Sequence, residues 1–305
     1  VSESSAERFA RLADEPLIPT VAPRSGLWGS THSVRSIYAH RQLLGLLVRR
    51  DIKSRYKDSA LGLLWTLINP LVQLVVYYMV MGQFLGAARG IDDFALYIFS
   101  GLTIYVLFSE TVSGSTSAVV NNAGLVKKVY VPREVFPLAS VGSAAFTFAM
   151  QVVVLLLATI VLGSPPLSVE ILYAIPSILL MLIYGTALGL LLSALNVYLR
   201  DMQYLSQILL MLAMWASPIV YGWTMVRDTF AFAGLPSWAI EVYTANPITL
   251  AVLGFHRAFW IAGDPADYPS QLLLRMGIAI VIGLPLLWLC HRAFARMQGN
   301  FAQEL

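Results

Sequence analysis

Six apolar stretches punctuate the chain, at roughly 61–86, 94–120, 138–162, 171–197, 203–224 and 271–294. Each reaches about 20 residues, the length at which an α-helix crosses the hydrocarbon core of a bilayer. Ahead of the first stretch the pattern changes. From about His40 to Ser59, the residues Leu44, Val48, Ile52 and Tyr56 recur four apart, and Arg49, Lys53 and Lys57 form the neighbouring stripe. That spacing predicts an amphipathic helix (39–59) lying in the membrane interface before the chain turns inward. Arg55 is the exception, because its angle puts it on the apolar side with Asp51, one turn earlier. An acid followed four residues later by a base is the favourable order for a helical pair, so an Asp51–Arg55 pair is expected. Two readings of this helix stand open: a lipid-surface helix with a solvated basic face, and a helix docked against a partner or a substrate head group.

Between the fifth and sixth stretches, residues 225–270 are too long for a simple connection and too interrupted to span. Within them "SWAIEVYTANPITLAVLGFHRAFWIAG" is apolar, helical in pattern and broken at Asn246-Pro247. Two short helices dipping partly back into the membrane fit this segment, provided protein or water satisfies the break. The two Asn-Pro steps, Asn69-Pro70 and Asn246-Pro247, invite comparison with water channels, but neither is followed by Ala. There is no repeat of solenoid length and no inverted pair of broken helices of the secondary-transporter kind.

Composition agrees with the pattern. Of 305 residues, 58% are hydrophobic and 12% charged, with a mean hydropathy of +0.71, which places the chain among integral membrane proteins. The net charge of +3 comes from short basic clusters beside apolar spans, so it reflects topology and not nucleic-acid binding. Arg41, Arg49, Arg50, Lys53, Arg55 and Lys57, then Lys127, Lys128 and Arg133, then Arg200, then Arg292 and Arg296 fall on one side. Arg89, Arg227 and Arg257 fall on the other, the last two among Asp228, Glu241, Asp264 and Asp267. Both termini are therefore expected in the cytoplasm. Residues 1–38 are polar, contain Pro16, Pro19 and Pro23, and lack the apolar core of a secretory signal peptide, which predicts a cytosolic tail. The transmembrane unit is expected over 60–297, with 298–305 a short cytosolic end. Cys290 is the lone cysteine, so neither an intrachain disulfide nor a Cys-based metal site can form. No metal site is expected, since no clustered Asp or His has metal spacing.

Within the spans, Glu110 stands near the middle of the second stretch, where an acid must face a partner or water. A channel-lining role and an interhelical hydrogen bond both satisfy that demand. Tyr77, Tyr105, Phe108, Trp215 and Tyr221 put aromatic rings in spans 1, 2 and 5. Such rings serve as interfacial belts or core, or as faces over which sugar C–H groups slide; mid-span Tyr77 and Tyr105 escape the belt explanation best. Arg275 lies closer to the end of span 6 and can snorkel.

Four segments in register carry a family resemblance: "RRDIKSRYKDSALGLLWTLINPL", "NNAGLVKKVYVPREVFPLA", "NVYLRDMQYLSQILLMLAMWASPIVYG" and "ANPITLAVLGFHRAF". From about residue 40 to the end, the chain resembles the permease subunit of ABC transporters that export lipid-linked polysaccharide, the O-antigen, teichoic acid and mycobacterial galactan exporters. The resemblance implies an all-α membrane fold of six transmembrane helices. To these it adds an N-terminal interfacial helix, a cytoplasmic coupling helix, and two short re-entrant gate helices between helices 5 and 6. It also implies a homodimer, with each subunit seated on a separate ATPase chain that binds ATP and Mg. Consistently, the sequence has no G-x-x-x-x-G-K-[ST] loop, so this chain itself binds no such cofactor.

By the same resemblance, Lys127, Lys128, Pro132, Arg133 and Glu134 form the coupling helix, with Arg200 and Asp201 as a second ATPase contact. Arg49, Lys53, Arg55, Tyr56 and Lys57 frame a lateral gate for the diphosphate head, with Arg55 the foremost. Tyr77, Tyr105, Phe108, Glu110, Trp215 and Tyr221 line the sugar path; Tyr243, Asn246, Pro247, His256 and Arg257 form the external gate. The expected partners are the ATPase, a second copy of the chain, membrane lipid and a lipid-linked glycan, in a bacterial plasma membrane. Arg outnumbers Lys and the spans are rich in Ala, Leu and Val, as a GC-rich actinobacterial genome would encode, which favours galactan as the glycan. The competing readings are export of a small amphipathic drug or lipid, a polyprenyl-lipid enzyme, and a scaffold for cell-wall enzymes. The enzyme reading lacks clustered acid–base residues at either face.

Overall fold

The computed structural model describes residues 38–56, 61–84, 86, 91–128 and 131–305. Among these the chain is all helical. Helix α1 (Arg41–Tyr56) precedes α2 (Trp65–Tyr77), which continues as a π-helical turn over Tyr78–Phe84. Then come α3 (Phe94–Asn121), α4 (Ala123–Lys128), α5 (Val135–Val161), α6 (Ala174–Tyr198) and α7 (Met202–Trp215). Three shorter helices follow, α8 (Trp223–Phe232), α9 (Ser237–Ala245) and α10 (Pro247–Phe259), and the chain ends in α11 (Leu272–Met297) and α12 (Phe301–Glu304).

Five helices are long and apolar enough to cross a membrane, and α7 is a shorter apolar helix. The stretch expected at 203–224 is helical only to Trp215, because Ser217-Pro218 interrupts it. At 14 residues, α7 is about 21 Å long, short of the roughly 30 Å hydrocarbon core. The chain then runs without regular structure through Ser217, Ile219 and Val220, which are almost fully buried. Irregular backbone in such a setting needs partners from protein. Tyr97 supplies them, its hydroxyl lying 3.0 Å from the Pro218 carbonyl and 2.8 Å from that of Tyr221.

Helix α3 is the axis of the bundle, packed between α5 and α6 and touched by α7 and α10. Its apolar residues run all the way round because every face meets protein. Two of its buried hydroxyls are satisfied within the helix, Thr103 and Thr116 each donating to the carbonyl four residues back at 2.7 Å, while Ser115 reaches the Pro137 carbonyl of α5 at 3.2 Å. Small residues let the helices close on it. A Cβ on Gly189 of α6 would lie 2.7 Å from the Ser115 Cβ, so a larger residue there would force α3 and α6 apart.

Two hydrophobic clusters divide the bundle by depth. One gathers the first half of α3 with α10, the 217–223 segment and the adjoining parts of α6 and α11. The other unites Leu47 of α1, Val126 of α4, Val135 and Phe136 of α5, Val197 of α6, Phe294 of α11 and Phe301 of α12. Cross-links at the second end include Tyr198 donating to the Met297 carbonyl at 2.8 Å and Asn196 to that of Thr116 at 3.1 Å. Lys127, Lys128, Arg200 and α1 all lie at this end, the basic one. At the opposite end Arg257 meets Glu170 at 3.1 Å and Trp260 donates to the Asp92 carbonyl at 2.6 Å.

Candidate functional site

Helix α1 forms over the predicted stretch and buries the predicted side: Leu47 is 4% exposed and Leu43, Leu44 and Val48 pack with it, while Arg49 and Lys53 face outward. It docks on α5. The approach is close enough that a Cβ on Gly142 would lie 2.8 Å from the Val48 side chain. Part of the apolar face is thus held against protein of the same chain.

Docking aims Arg55 into the bundle, as its angle predicted, but to a different partner. Its Nη1 lies 2.9 Å from Oε2 of Glu110 on α3, and 3.4 Å from the Thr147 hydroxyl on α5. Asp51 instead pairs with its neighbour Arg50 at 2.7 Å. The Asp51–Arg55 pair is thus corrected: Arg55 reaches across to α3, where Glu110 accepts its hydrogen bond. Two residues singled out separately in the sequence, Arg55 and Glu110, form one ion pair.

Below this pair opens a polar cavity of about 360 Å³, lined by Arg50, Asp51, Ser54 and Arg55 of α1, Asn121 and Asn122 at the end of α3, and Ser140 and Ser143 of α5. Gly114 and Ala118 of α3 also line it. The buried Ser143 hydroxyl has no protein partner. Each of its two arginines is already held by a carboxylate, so the cavity carries donors in excess but a balanced formal charge. Sequence reasoning missed Asn121, Asn122, Ser140 and Ser143; the signal was the Asn pair ending span 2, quoted only as part of a resemblance. Lys57 and the Tyr56 side chain lie outside the described residues, as do the 1–37 tail and Arg89.

The other expected residues are placed as follows. Lys127 and Lys128 are exposed at the end of α4, and Arg200 and Asp201 are exposed at the α6–α7 turn. Pro132 and Arg133 are half-buried. Glu134 is buried, at 1% exposure. It accepts from Gln298 at 3.0 Å and lies 3.9 Å from His291 Nε2. The aromatic residues divide. Tyr105 and Phe108 are core, 5% and 3% exposed, and the Tyr105 hydroxyl donates to the Leu210 carbonyl. They do not face open space in this conformation, because α7 covers that side of α3. Trp215 is exposed, and Tyr77 lines an outer groove on α2 with Trp65, Asn69 and Gln73. Tyr221 donates to the Trp215 carbonyl at 2.7 Å and lies 3.3 Å from the Tyr243 hydroxyl.

At the far end, the break between α9 and α10 falls at Asn246-Pro247 as predicted. Asn246 accepts from the Ile248 N–H at 3.1 Å, and Pro247 takes the first helical position. His256 is fully buried with its ring 3.9 Å from that of Tyr97, which makes it a packing residue. Arg257 stacks on Tyr173 and pairs with Glu170. Arg275 does not snorkel freely but binds Glu241 of α9, whose carboxyl that bond holds below the ordinary carboxylate range. Burial raises the Tyr243 hydroxyl pKa far above the usual phenol value. No group of His, Cys, Asp and Glu able to hold a metal occurs among the described residues.

Apolar bundle and polar end-pocket together define a multi-pass membrane protein. The chain belongs to the ABC-2 type transporter family, whose sequence pattern matches residues 42–260. It is 28% identical over 272 residues to the O-antigen export system permease protein RfbA of Myxococcus xanthus, covering 89% of this chain and 98% of that one. A protein of the same description from Klebsiella pneumoniae is 28% identical over 264 residues, 86% of this chain and 95% of its own. The capsule polysaccharide export inner-membrane protein CtrC of Neisseria meningitidis serogroup A is 22% identical over 162 residues, 52% of this chain and 60% of that one.

Proposed function

We propose that this chain is the membrane-spanning subunit of an ATP-driven exporter of polyprenyl-diphosphate-linked polysaccharide, working as a homodimer on separate ATPase chains in a bacterial plasma membrane. The observation that carries the reading is the polar pocket at the basic end, where Arg50 and Arg55 flank a cavity of about 360 Å³ between an interfacial helix and two spans. Planar guanidinium groups bind phosphate through paired hydrogen bonds, and the Asn and Ser side chains add donors. Near-full-length similarity to two O-antigen export permeases supports a polysaccharide cargo. Galactan is the proposed glycan.

In this reading α7 is the sixth crossing, completed by the buried 217–220 segment, and α9 and α10 are the re-entrant external gate. Asn69 and Gln73, exposed on the apolar α2, would face the second copy and the sugar path, since polar side chains on a lipid-facing surface are costly. Trp65, Tyr77 and Trp215 supply exposed or half-exposed rings for that path; Tyr105 and Phe108 would join it only after α7 moves. Exposed Lys127, Lys128, Arg200 and Asp201 meet the ATPase.

The test is depletion of the protein in its host, followed by radiolabelling and sizing of polyprenyl-linked glycans in membrane vesicles of known sidedness. Long glycan accumulating on the cytoplasmic leaflet is the expected result, and its sugar composition checks galactan. An unchanged distribution would overturn the glycan cargo in favour of a small amphipathic one.

A further inference from the structure

The basic end of the bundle contains a second constellation that the pocket does not use. Glu134 stands immediately before the first residue of α5 and is almost completely buried. A carboxylate with so little exposure needs compensation from protein. It receives it from the far end of the chain, through Gln298 at 3.0 Å and His291 at 3.9 Å.

Apolar contacts reinforce the same junction. Phe301 is 0% exposed. Its ring meets Phe294 of α11 edge-on with centroids 5.5 Å apart and Tyr198 of α6 at 6.1 Å. The Arg133 guanidinium lies 5.9 Å from its centroid. Helix α12 packs on both α4 and α6. The 298–305 end therefore folds back beneath the bundle and joins three elements that the chain order keeps apart: the α4–α5 link, the end of α6 and the end of α11.

We propose that residues 298–305 are a clasp that transmits movement of the 123–134 segment to α6 and α11, with Glu134, Gln298 and Phe301 as its positioning residues. The inference rests on the reading that α4 meets an ATPase. A desolvated, packed junction moves as a unit, and this one ties α4, which carries the exposed Lys127 and Lys128, to α6 and α11. Loss of the clasp should leave the partner bound and hydrolysing ATP while export falls.

The experiment compares wild type with Gln298→Ala, Gln298→Glu and Phe301→Ala, each co-expressed with the ATPase and reconstituted as the intact complex. Co-purification, melting temperature, ATP turnover and glycan export are read on the same preparations. Expected are unchanged co-purification and turnover within about twofold, with export per ATP down on the order of tenfold, inside the usual range of inter-site coupling. Gln298→Glu, which sets a second acid against Glu134, should be the most uncoupled, and Gln298→Asn should restore part of the ratio. Should Phe301→Ala fail to fold, the Gln298 series decides alone. An export-to-ATP ratio equal to wild type in folded Gln298→Glu would overturn the clasp. Failure of the wild-type chain to bind any ATPase, or to export glycan, would instead sink the proposed function.

Discussion

Replacing Glu110 by Gln tests the electrostatics of the pocket directly. The amide keeps the shape of the carboxylate and can still accept from Arg55, so the helix contacts survive while the charge is removed. In the structure each pocket arginine is occupied, Arg55 by Glu110 at 2.9 Å and Arg50 by Asp51 at 2.7 Å. A phosphate head must therefore displace a carboxylate before it gains a guanidinium. The Arg55 and Glu110 side chains are 40% and 29% exposed, so their attraction is partly screened and is worth about 1 kcal/mol, the upper end for exposed pairs. Removing that competitor should tighten binding of an anionic head by a factor of roughly 5. The assay is equilibrium binding of farnesyl diphosphate to detergent-purified protein, with farnesol as the uncharged control. The gain should appear at low salt, shrink towards 1 M salt as the screening length falls to about 3 Å, and be absent for farnesol. Unchanged or weaker binding by a folded Glu110→Gln protein would refute the reasoning, because it would mean that Glu110 orients Arg55 instead of competing for it.

Two further predictions concern other links of the same chain of cause. Reversing Lys127 and Lys128 to Glu should weaken ATPase association by at least an order of magnitude, as charge reversal at a docking contact does; undiminished co-purification would move the contact elsewhere. Tyr97→Phe removes the donor to the Pro218 and Tyr221 carbonyls and should destabilise the 217–222 segment by about 1–3 kcal/mol, seen as faster hydrogen exchange there; wild-type protection would show that water replaces the hydroxyl.

Much of the architecture was legible in the residues before any coordinates. Hydropathy located the spans, because a bilayer demands long apolar helices whatever they pack against. The four-residue spacing of Leu44, Val48 and Ile52 fixed α1 and its inward side. Asn246-Pro247 set the start of α10, because Asn caps and Pro fits the first turn. The length of α7 was less legible, since the residues after Trp215 stay apolar although they are irregular, and only Tyr97, more than a hundred positions away, makes their backbone tolerable.

Tertiary structure alone decided which partner each polar residue took. Arg55 had an acid one turn away and another 55 positions on; local spacing favours Asp51, and the docking of α1 on α5 selects Glu110. Glu134 takes its hydrogen bond from Gln298, 164 positions on, a partner that no local spacing indicates. Tyr105 and Trp215 are both aromatic and within apolar stretches, yet one is core and the other exposed, because in a membrane protein lipid and neighbouring helices accept the same side chains. Hydropathy therefore determines where this chain enters the membrane, while the packing of one helix against another determines which of its charges meet and which of its rings face outward.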